Sequence, residues 1–119
     1  MNPVTGLSLG RVAVGAIALG NPPLAGKLFQ LDVAGNPQLP YLSRLFGSRE
    51  IVLGLATLAA SGKTRRNLVL AGILVDAADA ATGYLGVRDG YVSRTTGAAL
   101  TGPAVGAVLA GLAGLRPGS

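Results

Sequence analysis

The chain has 119 residues, of which 50% are hydrophobic and 13% charged, with 19 glycines and 4% aromatic side chains. This composition excludes an ordinary soluble domain, which carries about twice that charged fraction, and it favours membrane helices that pack closely through Gly and Ala. The lack of Cys and His excludes disulfides, thiol nucleophiles, Cys-type zinc sites and the usual neutral-pH proton shuttle. The net charge of +5 lies at predicted helix ends and turns, so it indicates orientation in a membrane and not nucleic-acid binding.

Four apolar segments predict an all-α, integral membrane four-helix bundle that forms a single transmembrane domain over residues 1–119. Each segment has roughly 17 to 21 residues, near the length that crosses about 30 Å of hydrocarbon. Pro, Gly and charged residues lie between the segments and interrupt the helical pattern. The predicted helices cover about residues 4–20, 42–60, 67–85 and 95–115.

The first segment has a weak likeness to a signal peptide, because a short apolar run, 12–19, follows Arg11 and "AIA" at 16–18 fits a cleavage site. A retained first helix is the preferred interpretation, since the remaining chain then completes an even bundle. In the long connection that follows, Leu24, Leu28 and Leu31 lie at helical spacing. They predict a short interfacial helix, with an extended part of the first hairpin as the alternative.

The segment "GKTRR" at 62–66 carries three positive charges and predicts a cytoplasmic loop. Both termini are then cytoplasmic as well. Tyr41, Tyr84 and Tyr91 support this orientation. All three fall at the ends of predicted helices away from the cytoplasm or in a loop on that side, and Tyr favours such membrane interfaces. "SGKT" does not indicate a nucleotide-binding loop, since Thr57 occupies the position of the first glycine of that motif.

Five ionisable residues fall well inside the predicted spans. Two central carboxylates in one helix cost roughly 5–7 kcal/mol on insertion scales, so the third helix needs partners. If the second and third predicted helices fold as an antiparallel hairpin about Thr64, two residues lie at the same depth when their numbers sum to about 128. This rule pairs Arg49 with Asp79 and places Glu50 level with Asp76. The predicted buried cluster, a candidate proton or ligand site, is Arg11, Arg49, Glu50, Asp76 and Asp79.

Full ionisation leaves this cluster with one excess negative charge. Arg44 at the rim of the second helix, a bound cation or a proton on one carboxyl could balance it. Paired charges that fix which helices meet are one interpretation, and a polar site for a proton, a cation or a small ligand is the other.

The last helix carries a repeat of small residues at every fourth position. Such a ladder favours close packing, within the bundle by preference or between protomers as the alternative. The predicted packing residues are Gly102, Gly106, Ala110 and Gly114.

"RLFGSREIVLGLATL" at 44–58 and "RRNLVLAGILVDAADAATG" at 65–83 resemble small uncharacterised bacterial four-helix membrane proteins that are loosely DoxX-like. The resemblance implies a bacterial cytoplasmic (inner) membrane location and no established chemistry. Its motif residues here are Arg11, Gly47, Arg49, Glu50, Asp76 and Asp79. "DAADAATGY" at 76–84 also resembles the start of the metal-binding helix of CDP-alcohol phosphotransferases. However, Ala80, Gly83 and Tyr84 occupy the Gly, Ala and Arg positions of that motif, and the second aspartate pair is missing.

The sequence therefore predicts a structural or accessory membrane subunit, with a small proton- or cation-linked transporter, oligomeric because four helices enclose little space, as the alternative. No catalytic residue, metal ligand set or cofactor site is predicted, and an enzyme is disfavoured. The expected partners are the lipid bilayer and either further copies of the chain or a membrane partner protein, with no nucleic acid.

Overall fold

The computed structural model describes residues 2–116, and within this range the chain forms five α-helices and no β-strand. The predicted all-α class is confirmed, whereas the number of helices differs from the predicted four. Four helices are long and one, α2, has seven residues. The helices are α1 (Pro3–Gly20), α2 (Pro22–Leu28), α3 (Leu39–Ala59), α4 (Gly62–Arg88) and α5 (Arg94–Gly114).

Three of the described helices, α1, α4 and α5, are long and apolar enough to cross a membrane. The fourth long helix, α3, has 21 residues but does not share that apolar character. It carries Arg44, Arg49 and Glu50 within its length. Three of the four predicted spans therefore have the length and apolarity of a membrane helix. α3 does not, because it carries charged residues within its length.

The connection after α1 contains the short helix α2. Asn21 ends α1 and begins α2, because its N–H bonds the carbonyl of Ile17 while its side chain accepts from the N–H of Leu24 at 3.3 Å. Pro22 occupies the first position of α2, where its missing N–H costs nothing. The helix stops before Leu31, since Gln30 adopts a left-handed conformation with φ 61°.

The basic segment 62–66 is not a loop. It forms the first turns of α4, which begins at Gly62 after a connection of two residues and continues to Arg88. Ala60 and Ser61 are extended and Gly62 has φ +59°, a conformation that glycine adopts without strain, so these three residues make the sharp reversal. Lys and Arg are good helix formers and extend the helix to the turn.

The bundle consists of two antiparallel helix pairs. α1 packs mainly on α3 and α4 mainly on α5, while α3 and α4 make few direct contacts although they are consecutive. Glycines bring the backbones of α1 and α3 together: a β-carbon on Gly47 would lie 2.6 Å from the carbonyl oxygen of Gly15, and one on Gly54 would lie 2.7 Å from that of Ser8. Such approaches are typical of membrane helix pairs.

The preferred interpretation of the α5 ladder, packing within the bundle, is wrong for Gly102 and Gly106, whereas packing between protomers stays a prediction. Gly102 and Gly106 are exposed, and a β-carbon on either would meet no atom within 4 Å. Ala110 is half-buried, and Gly114 packs against Val4 of α1.

The buried small residues of α5 instead recur every seven positions, at Gly97, Ala104 and Gly111. These residues lie on a different face of α5 from the predicted ladder. The face is set by the need of α5 to contact both α4 and α1. Gly111 illustrates the contact, since a β-carbon there would lie 2.6 Å from Cγ1 of Ile73 on α4.

The end of the bundle at which α1 stops is covered by residues 29–39. Thr96, near the start of α5, donates its hydroxyl to the carbonyl of Gln30 at 2.5 Å. Ser93 caps α5 by accepting from the N–H of Thr96 at 3.1 Å. The bond from Thr96 to Gln30 attaches the segment 29–39 to α5.

We expect Gly47→Ala to lower the free energy of unfolding by about 1–3 kcal/mol, because the added methyl group overpacks the α1–α3 contact. Gly102→Ala is the matched control, since it adds the same group where nothing lies within 4 Å. Thermal unfolding of both variants in detergent measures the difference. Equal stability of the two variants would contradict the close approach of α1 and α3.

Candidate functional site

A buried guanidinium on α1 joins three helices. Nη1 of Arg11 donates to Oε2 of Glu50 on α3 at 2.9 Å and to Oδ1 of Asp76 on α4 at 2.9 Å, while Nη2 donates to Oδ2 of Asp76 at 2.5 Å. The side chains of Arg11, Glu50 and Asp76 are only 7%, 6% and 5% exposed. The two parallel bonds to Asp76 use the planar fork of the guanidinium, which a lysine could not supply. We call Arg11, Glu50 and Asp76 the inner triad.

Gly72 explains how Arg11 reaches Asp76. It lies one turn before Asp76 on α4, and a β-carbon there would lie 2.8 Å from Nη2 of Arg11. Gly72 thus admits a side chain, whereas Gly83, further along α4, lets α5 approach through Thr101.

A second layer of the cluster is more open. Nη2 of Arg49 donates to Oδ2 of Asp79 at 2.8 Å, and the side chains of these two residues are 40% and 32% exposed. The guanidinium carbon of Arg49 lies 5.1 Å from the ring centroid of Phe46, a cation–π distance. We call Arg49 and Asp79 the outer pair.

Glu50 connects the two layers, because its Oε1 accepts from Nη2 of Arg49 at 3.3 Å while its Oε2 accepts from Arg11. The structure thus brings together all five residues singled out in the sequence. Arg49 meets Asp79 as their equal depths suggest, whereas Glu50 and Asp76 meet through Arg11. Arg44 stays outside the cluster: it is exposed, and its Nε donates to the carbonyl of Leu19 at 3.3 Å.

The carboxylates of the cluster are not equally engaged. Glu50 and Asp76 each have both oxygens bonded to guanidinium groups. Asp79 accepts through Oδ2 alone, and no donor among residues 2–116 reaches its Oδ1. Oxygens of Glu50, Asp76 and Asp79 lie within 4.8 Å of one another, but a metal ion there would have to displace Arg11 and Arg49. Asp79 is therefore the group best placed to accept a proton or a hydrogen bond from elsewhere.

The cluster forms the base of a large cavity. The cavity has a volume of about 1000 Å³ and extends from mid-depth in the bundle to the segment 29–39 and the residues that follow α4. Its walls are mainly apolar and come from all the long helices. The residues of these walls include Gly10, Val14, Leu42, Phe46, Leu100 and Ala107.

This cavity was not predicted from the sequence. It exists because α3 and α4 meet chiefly through ion pairs and leave the space between the two helix pairs unfilled. No residue pattern marks such a space, although the many small residues of α1 and α5 are compatible with it.

Comparison with protein-family models, with curated proteins and with solved structures finds no match to this chain. The DoxX-like resemblance therefore stays a prediction.

We expect Arg11→Met to lower the free energy of unfolding by about 3–5 kcal/mol, because it leaves two buried carboxylates without a cation. Arg49→Met should cost less than Arg11→Met, since the side chains of Arg49 and Asp79 are partly exposed and Glu50 keeps its bond to Arg11. Thermal unfolding in detergent measures both.

The triple variant Arg11→Met/Glu50→Gln/Asp76→Asn should regain stability relative to Arg11→Met alone, because it removes the unpaired charges. If Arg11→Met and Arg49→Met are equally destabilising, the division into an inner triad and an outer pair is wrong.

Proposed function

We propose that this chain is a small multi-pass protein of the bacterial cytoplasmic membrane that binds and transports a proton or a cation through the cavity above Asp79. The observation that supports this most is the cavity itself, because it leads from one end of the bundle to carboxylates at mid-depth. Intramembrane ionisable residues beside a cavity commonly mark ion pathways.

The charge balance of the cluster supports the same proposal. Two guanidinium groups face three carboxylates, so full ionisation leaves one negative charge without a partner. Removing such a charge from water is costly. A proton or a cation next to Asp79, whose Oδ1 has no donor among the described residues, would neutralise it.

A second candidate function is the structural or accessory subunit that the sequence favours. The inner triad supports it, because Arg11 ties α1, α3 and α4 together with three hydrogen bonds from Nη1 and Nη2 to carboxylates. The two candidates involve different residues, since the triad is buried and both oxygens of each of its carboxylates are bonded, while Asp79 faces the cavity. Variants of Asp79 separate them.

We propose that α3 is the fourth membrane span. Its charges at Arg49 and Glu50 belong to the cluster, while its other faces carry exposed apolar side chains that lipid would cover. Among these, Leu45, Val52 and Leu55 are 52%, 65% and 53% exposed. With four spans and the basic start of α4 inside, both termini are cytoplasmic.

Single cysteines test this orientation, because the chain has none of its own. In intact cells, a membrane-impermeant maleimide should label Ala34→Cys, and it should label Thr64→Cys only after permeabilisation. Both positions are exposed on the protein, so labelling depends on which side of the membrane each residue faces. Labelling of both from outside would contradict four spans, and the reversed pattern would contradict the orientation.

We expect Asp79→Asn to slow transport at least tenfold while leaving protein abundance unchanged, because the inner triad keeps its hydrogen bonds and the substitution removes the excess negative charge of the cluster. The assay follows the collapse of an imposed pH gradient, with and without a sodium or potassium gradient, in liposomes that contain a pH-sensitive dye. Asp32→Asn is the matched control, since Asp32 lies on an exposed segment away from the cluster.

If Asp79→Asn lowers abundance and the wild-type protein moves no protons or cations beyond empty liposomes, the accessory-subunit function is supported and transport is excluded. Equal flux for wild type and Asp79→Asn would exclude a role for Asp79 in transport.

A further inference from the structure

We infer that the cavity binds a lipophilic organic cation, with its positive centre at Asp79 and its apolar body against the walls. This inference rests on the proposal that the cavity is a ligand site, and it names the class of ligand. It depends on three observations, namely the size of the cavity, the polarity of its walls and the sign of the charges that line it.

The volume of about 1000 Å³ is far larger than an inorganic ion requires. A water molecule occupies about 30 Å³ in the liquid, and small-molecule sites have volumes of about 300–1,000 Å³. A lone metal ion or proton would leave most of the cavity to be filled by water or lipid. A ligand of several rings or a branched apolar body matches the size.

The walls favour an apolar body. Val14, Leu42, Phe46, Leu100 and Ala107 line the cavity from three helices. Contact with such side chains stabilises a ligand by about 25 cal/mol for each Å² of apolar surface removed from water. A strongly hydrated ligand such as a sugar or a free nucleotide would gain little from them.

The charges select a cation. The charged side chains that line the cavity are one positive residue and four negative residues, namely Arg11, Glu50, Asp76, Asp79 and Asp89. Two further arginines neutralise part of this charge from outside the lining, since Arg49 pairs with Asp79 and Arg88 pairs with Asp89. Even with both of them counted, three positive groups face four negative ones, so the lining and its partners favour a cation over an anion.

Asp79 is the point at which the positive centre would lie. It lines the cavity, it is partly exposed, and its Oδ1 accepts no hydrogen bond from residues 2–116. The other two carboxylates at the base are fully engaged by Arg11 and Arg49. A cation beside Asp79 therefore neutralises the cluster without breaking the inner triad.

The test compares two probes of nearly the same shape and opposite charge, the tetraphenylphosphonium cation and the tetraphenylborate anion. The full chain is held in nanodiscs of zwitterionic lipid, and equilibrium dialysis measures binding beyond that of empty nanodiscs. The cation should bind saturably, with one site for each chain, and the anion should not. Asp79→Asn should weaken binding of the cation at least tenfold.

A second pair of variants tests the cavity without altering a charge. Gly10 lines the cavity and Gly102 does not, yet a β-carbon on either would meet no atom within 4 Å. Both positions thus have room for a larger side chain. Gly10→Phe should place its ring in the cavity and abolish saturable binding of the cation, whereas Gly102→Phe should bind as the wild type does.

Equal binding of both probes, or cation binding that survives both Asp79→Asn and Gly10→Phe, would overturn the inference. Wild-type flux of protons or inorganic cations without saturable binding of tetraphenylphosphonium would refute the ligand class while leaving transport intact. Saturable, Asp79-dependent binding without any flux would support the ligand class and refute transport.

Discussion

The arrangement of this protein depends on the burial of one guanidinium group. Arg11 lies in the middle of an apolar helix, and the desolvation of its charge is costly unless carboxylates surround it. The two carboxylates come from different helices, Glu50 of α3 and Asp76 of α4. α1 must therefore lie against α3 and within reach of an arginine side chain from α4 at this depth, which determines how the α1–α3 pair meets the α4–α5 pair.

The same constraint produces the cavity. α3 and α4 are joined by a connection of only two residues, yet they are bridged by long arginine side chains and make few direct contacts. An Arg–carboxylate bridge spans more distance than a Gly–Gly contact such as that of Gly15 and Gly47. The half of the bundle between the cluster and the segment 29–39 consequently stays open. The inner triad joins three helices, whereas Asp79 of the outer pair is the carboxylate that borders the cavity with one oxygen free of hydrogen bonds from residues 2–116.

This separation gives the cluster two roles at one depth. A well-packed apolar core would stabilise a bundle at least as well as a buried ion pair does, so three acids beside two arginines are more than the fold requires. The saturated carboxylates of Glu50 and Asp76 fit a structural role. The half-engaged carboxylate of Asp79, at the base of an apolar cavity, fits the recognition of a positive charge.

The sequence by itself determined the all-α class, the approximate helices and the membership of the cluster, because hydropathy, helical rise and the position of the turn set the depth of each residue. Depth paired Arg49 with Asp79 correctly. It could not show that Arg11 would stand between Glu50 and Asp76, that Gly72 would admit a guanidinium, or that α5 would pack through Gly97, Ala104 and Gly111 instead of Gly102 and Gly106. Those features, and the cavity, depend on the rotation of each helix about its axis. Only the simultaneous packing of all the helices decides that rotation, since each helix must satisfy two neighbours and the buried charges together.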